Sequence, residues 1–139
     1  MNVTSALGRF PPAVGEQPPA ARHKVTQELI SAYANASGDH NPIHLDPAYA
    51  KRAGLPSTIA HGLLTLGMAC AAVENWAAEA AWTSRVSCRF SAPVPVGDEL
   101  TCSAVVTAAG ADSAELDLMA AISNGDRPLT RAKVELRAL

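Results

Sequence analysis

Charge is scarce in this sequence and nowhere concentrated. Charged residues are 17% of the 139, and eleven Lys+Arg stand scattered among thirteen Asp+Glu for a formal net charge of −2. No clustered basic footprint of a nucleic-acid-binding chain is present. Long apolar runs are missing too: residues 68–73 stop at Glu74, far short of the ~20 residues that a membrane-spanning helix requires. Cysteine is sparse, with Cys70, Cys88 and Cys102 widely spaced and no Cys-x-x-Cys pair. That set fits small buried thiols in a reducing compartment better than a disulfide or zinc framework. Residues 1–19 carry Pro11, Pro12, Pro18 and Pro19 but no basic head followed by an apolar run. They do not read as a secretory signal, so a cytoplasmic protein is expected. There is no internal repeat, and no low-complexity segment apart from an Ala-rich stretch.

What is present is material for a core. Hydrophobic residues make up 48% of the chain, and its length suits one domain that buries roughly 65–70% of its unfolded surface, with one site per chain. A short strand or extended entry is expected at residues 22–25. Thr26 is the expected N-cap of a helix over residues 27–36, with Leu29, Ile30 and Tyr33 at helical spacing and Gly38 closing it in the left-handed conformation. Asp46 as N-cap and Pro47 at the first position predict a second short helix to about Arg52, ended by Gly54 and Pro56. Residues 61–78 predict a third helix, and its first three turns lack a polar face, so it should be buried. From Trp82 the period changes to two, with Trp82, Ser84, Val86, Cys88 and Phe90 alternating with Thr83, Arg85, Ser87, Arg89 and Ser91. Further strands are expected over residues 100–107, 114–122 and 130–136, separated by turns at Val96-Gly97-Asp98, Gly110-Ala111-Asp112 and Asn124-Gly125-Asp126. The expected class is α+β, a single domain in which a long apolar helix is wrapped by a curved antiparallel sheet. Residues 1–19 form a Pro-rich, irregular start to it.

The chemistry concentrates in Ser37-Gly38-Asp39-His40-Asn41-Pro42-Ile43-His44. Five residues apart on a helix, Asp39 and His44 would point ~140° away from each other. Pro42 removes a backbone donor and pushes Asn41 out of the helical region, so the segment is a loop or turn on which the two side chains can converge. A converged carboxylate and imidazole serve proton transfer: one partner activates water, the other supplies or removes a proton at the neighbouring carbon. Asn41, between them, is placed to orient the water or one of the pair. From spacing alone, an Asp after glycine is more often a turn or cap residue than a catalyst. His40 and His44 stand four apart, as helical zinc ligands do, but Pro42 breaks the helix that would align them, and no metal is expected. Asp46 reads as a cap, His23 and His40 as solvated. His61 either caps the third helix or lies near the site. The Gly62 amide is among the unpaired donors of that helix, where partial positive charge suits a carbonyl oxygen acquiring negative charge.

Taken together, Tyr33-Ala34, Ser37-Gly38-Asp39, Asn41-Pro42-Ile43-His44, Asp46, Tyr49-Ala50, Gly54 and Ala60-His61-Gly62 resemble the MaoC-like (R)-specific hydratases. Arg89-Phe90, Pro93-Val94 and Val96-Gly97-Asp98 resemble a later strand and turn of the same family, so that the likeness runs from about Val14. The resemblance implies a hot-dog fold assembled through sheet edges, as a homodimer or as a heterodimer with another hot-dog subunit. It implies reversible syn addition of water to a trans-2-enoyl thioester of coenzyme A or acyl carrier protein, giving the (R)-3-hydroxyacyl thioester. Asp39 and His44 match the family's catalytic positions. Asn41 and Gly62 match positions that bind substrate, His61 is taken with them, and neither metal nor redox cofactor is implied. Which of Asp39 and His44 takes the water proton depends on a tautomer that sequence leaves open. A thioesterase is the rival on the same fold, although hot-dog thioesterases usually lack this Asp-x-Asn-Pro-x-His loop. A non-catalytic subunit would typically lose the pair that this chain keeps, whereas a catalytic chain that needs a partner stays open. Lys51, Arg52, Arg85 and Arg89 read as exposed-face residues.

Overall fold

Caps and turns set where the elements begin and end. The computed structural model describes residues 2–3 and 6–139; Met1, Thr4 and Ser5 of the Pro-rich start lie outside the described residues. In that start, β1 (Asn2–Val3) and β2 (Glu16–Gln17) pair in parallel. Next come β3 (Ala21–Lys24) and three helices, α1 (Gln27–Ser37), α2 (Pro47–Arg52) and α3 (Gly62–Ala77). Four long strands complete the chain: β4 (Ala81–Phe90), β5 (Glu99–Ala109), β6 (Ser113–Ala121) and β7 (Leu129–Ala138). Thr26 is extended and its Oγ1 accepts from Leu29 N at 3.1 Å, which starts α1; Gly38, at φ 81°, ends it. Asp46 accepts from Ala48 N and Tyr49 N, with Pro47 at the first helical position, which starts α2.

The sheet is antiparallel with order β3-β5-β6-β7-β4. β3, expected as a short strand or extended entry, is one of its strands and borders β5. The α3 helix lies on the sheet, burying Val73 and Trp76 in the same core as Leu100, Leu116, Val134 and Leu136 from β5, β6 and β7. Each such side chain contributes about 1.5–3 kcal/mol by leaving water. Cys70 and Cys102 are buried and Cys88 half-buried, all three free, and burial pushes the Cys70 and Cys102 thiols up to about 11. They are core residues, as their scatter suggested. No helix among the described residues is long and apolar enough to cross a membrane.

Three expectations need correction. α3 is covered on one side only: Leu63 is 62% exposed, and Gly67 and Glu74 are exposed with it, because a helix lying on a single sheet keeps one stripe away from it. β4 does not keep strict alternation. Register shifts between Thr83 and Arg85 and between Ser87 and Arg89 place Trp82 opposite the exposed Arg137 but Phe90 opposite the buried Leu129. The Pro-rich start docks on the fold, for Leu7 N donates to Trp76 O (2.9 Å), Gly15 N donates to Val106 O (2.8 Å), and Phe10 packs on the core. His23 is half-buried on β3 rather than solvated, and its Nε2 has no hydrogen-bond partner among the described residues.

Ala78, at the C-terminal end of α3, holds φ 42° and ψ −115°, a conformation that suits glycine. Ala78→Gly should therefore stabilise the fold by about 1 kcal/mol, net of the extra freedom of glycine in the unfolded chain. Calorimetry is expected to show a melting temperature roughly 2–5 °C higher; a lower one would mean that the residue carries no strain.

Candidate active site

Two backbone events bring the candidate residues together. Gly38 turns the chain out of α1, and residues 42–45 form a tight turn in which His44 N donates to Asn41 O (3.0 Å) and Asp46 N to Pro42 O (2.9 Å). The strand-like segment 58–60 then passes beside that turn, with Ile59 N donating to Ile43 O at 3.3 Å. Its far side is pinned by Ala60 N to Val94 O and Val96 N to Thr58 O, both 2.9 Å. The Pro93-Val94 and Val96-Gly97-Asp98 stretches thus serve the site as backbone supports.

Asp39 and His44 do converge. Asp39 Oδ2 lies 4.0 Å from His44 Nε2, the carboxylate side chain 54% exposed and the imidazole 8%. His44 is a buried residue although it sits on a turn. Its Nδ1 sits 2.7 Å from the carbonyl oxygen of Ile59. A carbonyl oxygen only accepts, so Nδ1 carries the proton and, in the neutral ring, Nε2 is left with its lone pair on the side of Asp39. The 4.0 Å gap is too long for a direct hydrogen bond. It is short enough for one water oxygen to lie roughly 2.8 Å from both atoms.

His61 supports this arrangement from below. Its ring stacks on that of His44 with centroids 3.8 Å apart and planes 24° apart, and the Tyr33 ring lies tilted against it at 4.7 Å and 58°. Nε2 of His61 donates to the backbone carbonyl of Asp39 (3.0 Å), holding the start of the loop, while Nδ1 is buried and without a partner among the described residues. His61 occupies the N-cap position of α3 but makes no side-chain cap hydrogen bond. Of the two roles open to it, the structure places it at the site. Asp39, His44 and His61 offer three ligand atoms within 4.8 Å of one another. Near-parallel rings direct their lone pairs side by side rather than at one point, however, which is poor geometry for a tetrahedral ion.

A cavity of about 480 Å³ opens over the pair, lined by Tyr33, Asp39, His44, His61, Gly62 and Phe90 among others. Gly62 begins α3, so its amide is one of the donors that helix geometry leaves unpaired. A Cβ at Gly62 would lie 2.9 Å from the Phe90 ring, so glycine is what lets that ring lie against the helix start. A second, adjoining cavity of about 330 Å³ shares Ile59, Ala60, Gly62 and Phe90 and continues past Thr65, Val94 and Leu129. Asn41 is not among the residues lining either cavity. Its Oδ1 accepts from Ile43 N (3.2 Å) and its N–H donates to Asp39 Oδ1 (3.1 Å), so it shapes the turn and orients one member of the pair. His40 is exposed, near Gly38 O and Asn35 Oδ1.

Sequence reasoning missed the Ile59 carbonyl, since a backbone acceptor has no residue-type signature. It also passed over Gln27 and Thr58, two polar side chains folded in behind His44, because nothing in their spacing ties them to it.

The chain is similar to known proteins over most of its length. A family model described as a MaoC like domain matches residues 9–121, beginning inside the Pro-rich start and ending before β7. Over 77 residues, 55% of this chain, the sequence is 44% identical to 3-hydroxyacyl-thioester dehydratase X of Mycobacterium tuberculosis, of whose length it spans 26%. Among solved structures, the (R)-hydratase from A. caviae involved in PHA biosynthesis superposes with a TM-score of 0.85 at 27% identity, over 92% of this chain and 98% of that one. One chain of the ChsH1-ChsH2 complex from Mycobacterium tuberculosis shares the fold, with a TM-score of 0.85 at 24% identity over 91% and 98% of the two chains.

Gly62→Ala tests whether the start of α3 serves the cavity. The nearest atoms to an added Cβ belong to the Phe90 side chain, which need shift only slightly, so the melting temperature should change by less than about 3 °C while turnover of a cavity ligand falls about tenfold or more. Unchanged turnover measured beside an unchanged melting temperature would remove Gly62 from the site.

Proposed function

From the premise that this chain belongs to the MaoC-like domain family and has its hot-dog fold, we propose that it is an (R)-specific enoyl-thioester hydratase, or 3-hydroxyacyl-thioester dehydratase in reverse. The observation that carries this reading is the His44 tautomer. With Nδ1–H donated to Ile59 O, two acceptors face each other, His44 Nε2 and the Asp39 carboxylate. A water between them donates both hydrogens and presents its oxygen lone pair to an electrophilic carbon. Gly62 N–H, at the positive end of α3, receives the thioester carbonyl oxygen and makes C3 of the enoyl group electrophilic.

Atoms balance in the step that follows. The water oxygen bonds to C3 as one O–H bond breaks and its proton passes to His44 Nε2; the C2=C3 electron pair moves into the C1–C2 bond, and the charge gathers on the carbonyl oxygen at Gly62. Asp39 stabilises the imidazolium across the 4.0 Å gap. His44 then returns the proton to C2 from the face on which water was added, so the addition is syn and needs neither metal nor redox cofactor. Donation to the oxyanion supplies about 3–4 kcal/mol and the acid–base pair about 10²–10⁴-fold. The adjoining cavity, with Val94 and Leu129 in its wall, takes the acyl tail. The carrier is coenzyme A or acyl carrier protein. Three free cysteines suit a reducing cytoplasm.

Asp39→Asn and His44→Ala are each expected to lower turnover of a trans-2-enoyl thioester by two or more orders of magnitude. Asp39→Asn should leave the melting temperature unchanged, since that side chain is exposed. His44→Ala should also lower stability by about 1–3 kcal/mol, because it strands the Ile59 carbonyl. Steady-state kinetics showing near-wild-type turnover in either variant would refute the assignment.

Assembly through a sheet edge fits the same reading. β4 is the long edge strand, paired with β7 alone, and carries exposed Trp82, Val86 and Phe90. Such an edge is covered in a stable protein, and a second hot-dog subunit, identical or different, is the proposed cover. Light scattering on the purified chain should give a dimer that Val86→Lys converts to monomer; a monomeric wild type would point to a different subunit as the cover.

A further inference from the structure

Behind the turn that carries His44, three hydrogen bonds and a stretch of peptide chain close a ring. Thr58 Oγ1–H donates to Gln27 Oε1 at 2.8 Å, and Gln27 Nε2–H donates to the carbonyl oxygen of His44 at 3.0 Å. His44 Nδ1–H donates to Ile59 O at 2.7 Å, and the peptide chain from Ile59 back to Thr58 completes the circuit; Ile59 N–H to Ile43 O, at 3.3 Å, ties its middle. Thr58 is 1% exposed and buried for its whole length, although a threonine there has no apolar advantage over valine. Neither Gln27 nor Thr58 lines the cavity over the catalytic pair.

The orientation of one amide group decides whether this ring holds. An amide can present its oxygen or its NH2 in either direction, and only one choice donates to the His44 carbonyl. The His44 carbonyl, which only accepts, takes the NH2, and the Thr58 hydroxyl then donates to the oxygen at the other end and anchors it. The second amide hydrogen reaches toward Ser31 Oγ at 3.4 Å. Without the hydroxyl, Oε1 of Gln27 loses its partner and the amide is no longer anchored from behind, which loosens the turn that aims Nε2.

Resting on the hydratase reading above, we propose that Gln27 and Thr58 are positioning residues for His44: Thr58 anchors the amide of Gln27, and Gln27 holds the backbone of His44 so that its Nδ1–H stays on Ile59 O and its Nε2 stays free for water. They touch no reacting atom. Their effect therefore falls on kcat and leaves KM nearly alone.

The test uses the full chain with Thr58→Val, Thr58→Ser and Gln27→Glu. Thr58→Val keeps the shape and removes the donor, and should lower kcat for a trans-2-enoyl thioester about tenfold with KM within about threefold. Thr58→Ser restores the donor and should recover kcat to within about threefold of wild type. Gln27→Glu can still accept from Thr58 but, ionised, cannot donate to His44 O, so its kcat should fall at least as far as that of Thr58→Val. A second readout needs no turnover. The Nδ1–H of His44, held on a buried carbonyl, should give a slowly exchanging imidazole resonance in nitrogen-edited proton NMR spectra of the wild type and of Thr58→Ser, broadened or lost in Thr58→Val and Gln27→Glu. A wild type that turns over no enoyl thioester yet shows this resonance, lost in the two variants, overturns the hydratase reading and keeps the positioning ring. Wild-type kcat and an intact resonance in Thr58→Val overturn the ring. Equal loss in Thr58→Val and Thr58→Ser overturns it as well, because packing rather than donation would then be the cause.

Discussion

The hydrogen bond from His44 Nδ1 to the carbonyl of Ile59, 2.7 Å long, is the interaction on which the site depends. It selects one tautomer of a buried imidazole and leaves the other nitrogen unprotonated where the carboxylate of Asp39 waits. Without it, Nε2 could carry the proton itself and a water could not donate to both partners. The bond joins two segments, the 42–45 turn and the 58–60 segment, that are distant along the chain. Its geometry is therefore only as good as their mutual placement.

Much of the fold can be understood as fixing that placement. Segment 58–60 is hydrogen-bonded on one side to Val94 and Val96 and on the other to Ile43, so the acceptor Ile59 O is held from two directions. Gly97 N donates to Val25 O (2.7 Å) and Val25 N to Asp98 O (2.9 Å), which ties the same stretch to the beginning of α1. Asp98 is itself secured: hydrogen bonds from the Ser123 side chain and backbone and from Glu99 N hold its carboxyl below the usual carboxylate range. α3 then carries Gly62 to the mouth of the cavity on a helix whose packed face, from Leu64 to Trp76, is locked into the core. The rigid elements lie behind His44 and Gly62, while Asp39 reaches out from an exposed loop.

The parts of this architecture that are legible in the sequence are the local ones. Thr26, Gly38, Asp46 and Pro47 act through bonds to residues one to four positions away, and each was readable where it stands. The convergence of Asp39 and His44 was readable from Pro42, which rules out a helix, and from the motif around it. Asn41 and His61 were not readable in detail, since one serves the turn and the other lies under the imidazole, and both roles depend on partners that only the folded chain supplies. The bulges in β4, the uncovered stripe of α3 and the docking of residues 6–17 on the core are likewise long-range. They follow from which strands become neighbours, and no spacing in the sequence encodes that directly. Gln27 and Thr58 are the sharpest case: 31 residues apart, they meet in a 2.8 Å hydrogen bond.

The most direct measurement of the central claim is to give the purified chain crotonyl-CoA and follow the enoyl-thioester absorbance while titrating free thiol in the same sample. Loss of absorbance without thiol release, with (R)-3-hydroxybutyryl-CoA as the product, is the result this account expects. Release of free thiol, or formation of the (S) product, would contradict it.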